Sequence, residues 1–387
     1  MEMTKVKELV KQVRGVSYKP GDLHNELNEN SVILLRANNI DDGQINFDDV
    51  VYVDKSKVSF EQYLKTGDVL ICASSGSKNL VGKAASVRMD KECTFGAFCK
   101  AVRPKEGFED YIGIYFQSPI YRRKISDVAL GANINNIRNE HIDSLDIPVY
   151  SEMEQEDIVK KMHLLQEIIS NRRAELAKLA ELIKARFVEM FGDPRSNPFG
   201  FSKSVLKDTC KVVTGNTPSR AVQEYYGNYV EWIKTDNIVS EMINPTKATE
   251  SLSEEGMKVG RTVDKDSILM ACIAGSIASI GKVCVTDRTV AFNQQINAIV
   301  PEEYNILFLY VLLQLSKDYL VEDINMALKG ILSKSKLEEK EFIVPPMELQ
   351  EQFADFVTQV DKSKVAVQAA LEETQLMFDS LMQEYFG

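Results

Sequence analysis

The chain has 387 residues, 44% of them apolar and 27% charged, which describes a soluble protein with core material for two or three domains. Its net charge of −11 excludes a uniformly basic nucleic-acid binder, and its longest apolar run is far too short to span a bilayer. Six cysteines with no C-x-x-C pair, and only three histidines, argue against a disulfide framework or a zinc site.

Free buried thiols in a reducing cytoplasm are the expectation. The first residues, MEMTKVKELVKQVRG, contain no hydrophobic signal core. Residues 1–151 then mix short strands with turns. Ser31–Ile40 reads as a strand entering a polar loop, and Asp68–Cys72 as a buried strand after a turn. A loop at 73–79, a strand at 81–87 and a helix over 111–125 follow. Residues 131–138 form a polar segment, and Leu145–Pro148 leads into a long helix over 152–192.

That helix has apolar residues spaced by four and three, interrupted at Arg172 as the second long helix is at Lys364 and Thr374: Ile158, Met162, Leu165, Ile169, Leu176, Leu179 and Ile183. This is a heptad seam, with no Pro or internal Gly to break it. It ends at Gly192, a residue suited to a helix stop. The linker from Asp193 to Gly200 is punctuated by Pro and Gly.

The order of elements then repeats over 193–346. Residues 231–238 answer 34–40, Asp266–Met270 answers Asp68–Cys72, and Ile280–Lys282 answers Val81–Lys83. A helix is expected at 304–324. A second long helix, 347–387, carries the seam Phe353, Val357, Val360, Val367, Leu371, Phe378 and Leu381. Each long helix could cover its own globule, but two seams of equal length favour packing of one helix on the other. The fold class expected is α+β: two homologous mixed α/β domains separated by a two-helix antiparallel coiled coil, with pseudo-two-fold internal symmetry.

The charge distribution keeps nucleic acid open as a partner. The four segments 1–151, 152–192, 193–346 and 347–387 carry −1, −1, −3 and −6. Most of the acidity therefore lies on the second helix, and both globules are nearly neutral.

Gly76–Lys83 and Gly275–Lys282 resemble phosphate loops. Both have five residues between the glycines where four are needed, and an apolar residue after the Lys, so they are malformed for nucleotide. They remain either tight turns or contacts to a nucleic-acid backbone. No Asn/Asp-Pro-Pro-aromatic, G-x-G-x-x-G or H-E-x-x-H motif is present, and no catalytic residues are assigned.

Polar side chains able to grip bases or phosphates cluster at matched places in the two halves. The first half offers Arg36, Asn38 and Asn39, then Ser75, Ser77, Lys78 and Lys83, then Asn133, Asn135, Asn136 and Arg138. The second offers Lys234, Asp236 and Asn237, then Ser276, Ser279 and Lys282. It adds the amide run Asn293, Gln294 and Gln295, and finally Lys329, Ser333, Lys334 and Lys336. Matched positions with unlike residues suggest two readers of different targets.

With these features in place, the chain resembles the specificity (S) subunit of type I restriction–modification systems. The resemblance rests on the duplicated Asp-x-Ile/Leu strands with their Gly-Ser loops, on the polar segments before each helix, and on the phrases Ile147-Pro148…Glu154-Gln155 and Val344-Pro345-Pro346…Gln350. Val149-Tyr150-Ser151 departs from the family's Pro-rich turn.

The resemblance implies a non-catalytic subunit in which 1–151 and 193–346 are target recognition domains, each reading half of a bipartite site in double-stranded DNA. The helices would set the spacer and dock two methyltransferase (M) subunits, with restriction/translocase (R) subunits completing the assembly. S-adenosylmethionine, ATP and magnesium would then belong to those partners, with no cofactor or metal on this chain and no membrane. The alternatives are an acidic DNA mimic, a coiled-coil adapter without a DNA role, and a divergent ATPase.

Overall fold

A computed structural model describes the chain except residues 42, 78, 79, 90, 132–135, 240, 241, 323 and 325–329, and the side chains of 128–131. It divides into two compact units. One comprises Met1–Arg173 with Ala369–Gly387, the other Ala174–Gln368.

The first unit holds an antiparallel sheet in the order Val10–Arg14, Cys99–Pro104, Val69–Cys72, Ala84–Ser86. Its strand Val69–Cys72 is buried at every position, as expected of an inner strand covered on both faces. A second sheet pairs Ser31–Leu35 parallel to Cys93–Phe95 and antiparallel to Val51–Asp54. Glu2–Lys5 pairs with Asp146–Val149, tying the first residues to the approach of the long helix.

The second unit repeats this plan. Its antiparallel sheet runs Cys210–Thr214, Ile296–Pro301, Ile268–Ala271, Val283–Val285. Val230–Ile233 lies parallel to Val290–Phe292, and Lys203–Val205 pairs with Glu341–Ile343.

One expected equivalence shifts by a residue. Gly67 N donates to Val87 O, and Asp266 N donates to Thr286 O, so Asp266 occupies the place of Gly67 and Ser267 that of Asp68. Both turn residues have positive φ, +90° and +63°. Asp is among the few non-glycine residues that tolerate this region, so the shared Asp misled the sequence comparison.

The helix expected at 111–125 is two, Glu109–Tyr115 and Pro119–Gly131, because Pro119 opens a new first turn. The one expected at 304–324 divides into Ile306–Leu315 and Lys317–Val321, and the Asn305 carboxamide caps its start by accepting from Leu307 N at 3.0 Å.

The long helices are Glu152–Phe191 and Met347–Phe386, 40 residues each and thus about 60 Å long. In the first unit Ile158, Met162, Leu165 and Ile169 share a core with Phe378, Met382 and Phe386. The hydroxyl of Tyr150 donates to Tyr385 O, placing the entry of one helix beside the exit of the other. In the second unit Phe187 and Phe191 of the first helix pack with Phe353 of the second at 5.4 and 5.6 Å. Pairing is antiparallel within each unit.

Of the seam positions, Ile158, Met162, Leu165, Ile169, Phe353, Val357, Val360 and Phe378 are buried. Leu176, Leu179, Ile183, Val367, Leu371 and Leu381 are only half-buried. Phe187, Phe191, Met382 and Phe386, outside the expected seam, are more deeply buried. Near its end each helix turns a wider face inward to meet a globule as well as its partner helix. Phe386 lies 5.3 Å from Tyr111, and Phe191 lies 4.8 Å from Phe308.

The matched glutamines at the helix starts have a common role. Gln155 Nε2 donates to Tyr150 O and Gln350 Nε2 to Pro345 O, both at 2.8 Å. Each satisfies a carbonyl in the turn entering its helix.

Candidate nucleic-acid interface

In each unit, loops distant in sequence are drawn into one rim by backbone hydrogen bonds. In the first, Val16 N donates to Phe95 O at 2.8 Å, and Ala73 N and Ser74 N both donate to Phe98 O at 2.9 Å. Ile137 N donates to Ala73 O at 2.7 Å, and Ser74 bridges Asn136. In the second, Asn216 N donates to Phe292 O, and Cys272 N and Ile273 N both donate to Gln295 O. Leu332 N donates to Cys272 O, and Ile273 bridges Ile331.

The two rims therefore share one scaffold. Phe95 corresponds to Phe292, Phe98 to Gln295, and Ala73 to Cys272. Glycine is required where the first loop crosses. A Cβ on Gly15 or Gly215 would lie 2.2 Å from the carbonyl oxygen of Gly96 or Asn293.

Several expected residues lie on these rims. Ser75, Ser77, Asn136 and Arg138 belong to the first, where Ser75 Oγ accepts from Ser77 N and Arg138 pairs with Glu140 at 3.3 Å. Ser276, Ser279, Gln294, Ser333, Lys334 and Lys336 belong to the second. Ser276 and Ser279 share a hydrogen bond at 3.0 Å. Ser333 caps the short helix Lys334–Glu338 by accepting from Lys336 N, and Lys334 pairs with Glu338 at 3.4 Å. Lys78, Asn133, Asn135 and Lys329 lie outside the described residues.

Other assignments need correction. Asn39 is fully buried: its Oδ1 accepts from Arg36 N, and its Nδ2 donates to Asn46 O and Asp49 O. Asn237 repeats this, accepting from Lys234 N and donating to Thr246 Oγ1 and Lys247 O. These amides hold a loop together and have nothing left for a base. Asn293 is buried too, linking Gln295 N and Gln295 Oε1.

Arg36 and Asn38 both engage the Asp49 carboxylate, at 2.9 and 3.0 Å. Lys234 pairs with Glu250 at 2.7 Å and lies over the Trp232 ring at 5.2 Å. Arg220 pairs with the same carboxylate and stacks 4.6 Å from Tyr226. Hydrogen bonds from Lys234 and then Arg220 hold the Glu250 carboxyl below its usual pKa. Trp232 Nε1 donates to Asn216 O, so this cluster pins the first loop of the second rim.

Asp236 is exposed. Lys83 lies 3.6 Å from Asp41 in a first-unit cleft of about 1100 Å³, shared with Arg88 and His163. Burial, and then Arg88, holds the His163 pKa down. Lys282, its counterpart in the repeat, makes no ion pair among the described residues.

The structure adds residues that the sequence reading missed. Phe98 is 70% exposed on the first rim. Thr217 contacts the Gln294 carboxamide through its hydroxyl. Lys100 contacts Asn139, with its ammonium pKa lowered by burial. The available signal was the repeated Phe95/Phe292, with its three following residues aligned across the halves. Among the described residues no group of three or more His, Cys, Asp or Glu is placed to hold a metal, and no helix is long and apolar enough to cross a membrane.

Comparison with known proteins bears on the second unit most directly. Residues 198–374 match the family model of the type I restriction modification DNA specificity domain. Over 173 residues the chain is 39% identical to the StySPI specificity subunit of Salmonella potsdam, covering 44% of this chain and 37% of that one. The EcoKI specificity subunit of Escherichia coli K12 is 38% identical with the same coverage. The chain thus spans little more than a third of these relatives. The crystal structure of the type I restriction–modification S subunit from M. genitalium superposes over 100% of this chain and 96% of that one, with a TM-score of 0.59 at 14% identity. That likeness establishes the fold.

Proposed function

We propose that this chain, whose residues 198–374 match a type I restriction modification DNA specificity domain, is the DNA-reading subunit of a type I restriction–modification complex. Each unit reads one half of a bipartite site in double-stranded DNA through its rim, and the long helices set the unread spacer. The observation that carries this is the duplicated rim, with one hydrogen-bond scaffold in both units and unlike side chains upon it. A conserved backbone with changed surface chemistry is what two readers of different sequences need.

The helices also dock the methyltransferase subunits. Met153, Leu164, Leu182, Val188, Val365, Leu376 and Met377 are exposed along them, more apolar surface than two solvated helices need. S-adenosylmethionine belongs to those partners, and ATP and magnesium to the restriction/translocase subunits, all in the cytoplasm. The chain supplies the address while its partners supply the chemistry.

The test is the methylome of cells expressing the chain with its methyltransferase partner. A two-part adenine-methylated motif of fixed spacing is expected; its absence rejects the proposal. Binding by the chain alone should be weak and fall steeply with salt, since both globules are nearly neutral.

A further inference from the structure

We infer that Phe98 and Gln294 are specificity-determining residues that touch bases, one in each unit, presented by the same turn of a duplicated scaffold. This rests on the DNA-reading function proposed above. The turns are residues 96–98, after strand Cys93–Phe95, and residues 293–295, after strand Val290–Phe292. Their backbones are built alike. Gly96 N donates to Leu35 O and Asn293 N to Ile233 O, at 2.9 and 3.1 Å. Cys99 N closes the first turn on Gly96 O and Ile296 N the second on Asn293 O, at 2.8 and 3.1 Å. The side chains differ: Ala97-Phe98 against Gln294-Gln295.

Phe98 is an apolar ring, 70% exposed, on a backbone whose carbonyl already accepts two hydrogen bonds. Such a ring is presented rigidly and loses little backbone freedom on contact, as stacking on a base or wedging at a base step requires. A single exposed aromatic is ordinarily unremarkable on a protein surface. Phe60, also exposed, already has a partner in the Lys65 ammonium, 5.4 Å from its ring. Phe98 differs because its turn is hydrogen-bonded directly to the loop bearing Ser75 and Ser77.

At the matching turn Gln295 is half-buried and its Oε1 accepts from Asn293, which leaves Gln294 as the exposed amide. Gln294 Oε1 takes the Thr217 hydroxyl. Its Nε2 therefore offers donors, and donors meet acceptor edges in the major groove: guanine O6 and N7, thymine O4, or adenine N7. One unit reads by an apolar ring and the other by a hydrogen-bonding amide, which makes the two half-sites chemically different.

The test uses the full chain in complex with its methyltransferase partner, on a DNA library randomised in both half-sites. Phe98→Ala should reduce methylation, or discrimination at one or two positions of a single half-site, by roughly 5- to 150-fold, with the other half-site read as before. Phe98→Tyr, which keeps the ring, should restore it. Gln294→Ala should change the opposite half-site by a similar factor. The inference is overturned if Phe98→Ala and Gln294→Ala, each melting as the wild type does, keep wild-type preferences at every position. Equal loss at both half-sites from either variant overturns it as well. A wild-type complex with no two-part target would instead reject the function on which the inference rests.

Discussion

Asn237→Ala removes a buried carboxamide that makes three hydrogen bonds within its loop. The carboxamide accepts from Lys234 N at 3.0 Å and donates to Thr246 Oγ1 at 3.1 Å and Lys247 O at 3.2 Å. Thr246 Oγ1 keeps another partner in Asn237 O, so two backbone groups lose theirs. Because Lys234 is half-buried and Lys247 exposed, each group left unsatisfied costs at the lower end of the usual range, about 1–2 kcal/mol, which gives roughly 2–4 kcal/mol for the second unit. In a unit of this size that lowers the melting temperature by about 5–12 °C. Differential scanning calorimetry of the full chain measures it. Asn38→Ala, at an exposed position of the other unit, is the control and should shift melting by less than about 2 °C. If Asn237→Ala melts like wild type yet changes the DNA sequence methylated, Asn237 is a reader and its structural role is refuted.

Other consequences are open to direct measurement. Phe187→Ala opens a cavity among Phe191, Phe308 and Phe353 and should cost about 3–5 kcal/mol, read from urea unfolding. Glu231 grips Arg288 through two contacts of 2.9 Å, and those hydrogen bonds hold its carboxyl below the ordinary 4.5. Its folded pKa is depressed, so its contribution is complete above pH 4.5 and fades as pH falls through the lowered value. Glu231→Gln should flatten that acid limb of the stability profile; an unchanged limb would show that other carboxylates set it.

All six cysteines are buried, and burial pushes the Cys93, Cys99, Cys210, Cys272 and Cys284 thiols up to about 12. A thiol-specific reagent at pH 8 should therefore label none in the folded chain and all six in denaturant. Fast labelling of any one under native conditions would contradict the burial.

The long helices were legible because their determinants are local and repeated: apolar spacing of four and three along each helix, without Pro or internal Gly. The duplication was legible for a similar reason, since strand, Gly-Ser loop and Pro-bearing strand recur in order. The assignment of individual polar residues was not. Asn38 and Asn39 are adjacent and chemically identical, yet one is exposed and the other entirely buried. Which of them faces solvent depends on Asp49 and Asn46 folding back over the loop.

Periodicity and order thus determined the elements, their duplication and the faces of the long helices, because those follow from neighbours within a turn or two of chain. Tertiary structure alone decided the rims. They are assembled by hydrogen bonds joining residue 16 to 95, 73 to 98 and 137 to 73, and again 216 to 292, 272 to 295 and 332 to 272. Contacts across such separations leave no periodic trace in a sequence. Only the folded backbone brings Phe98 and Gln294 to neighbouring positions of one duplicated turn, and neither residue type by itself announces what it does there.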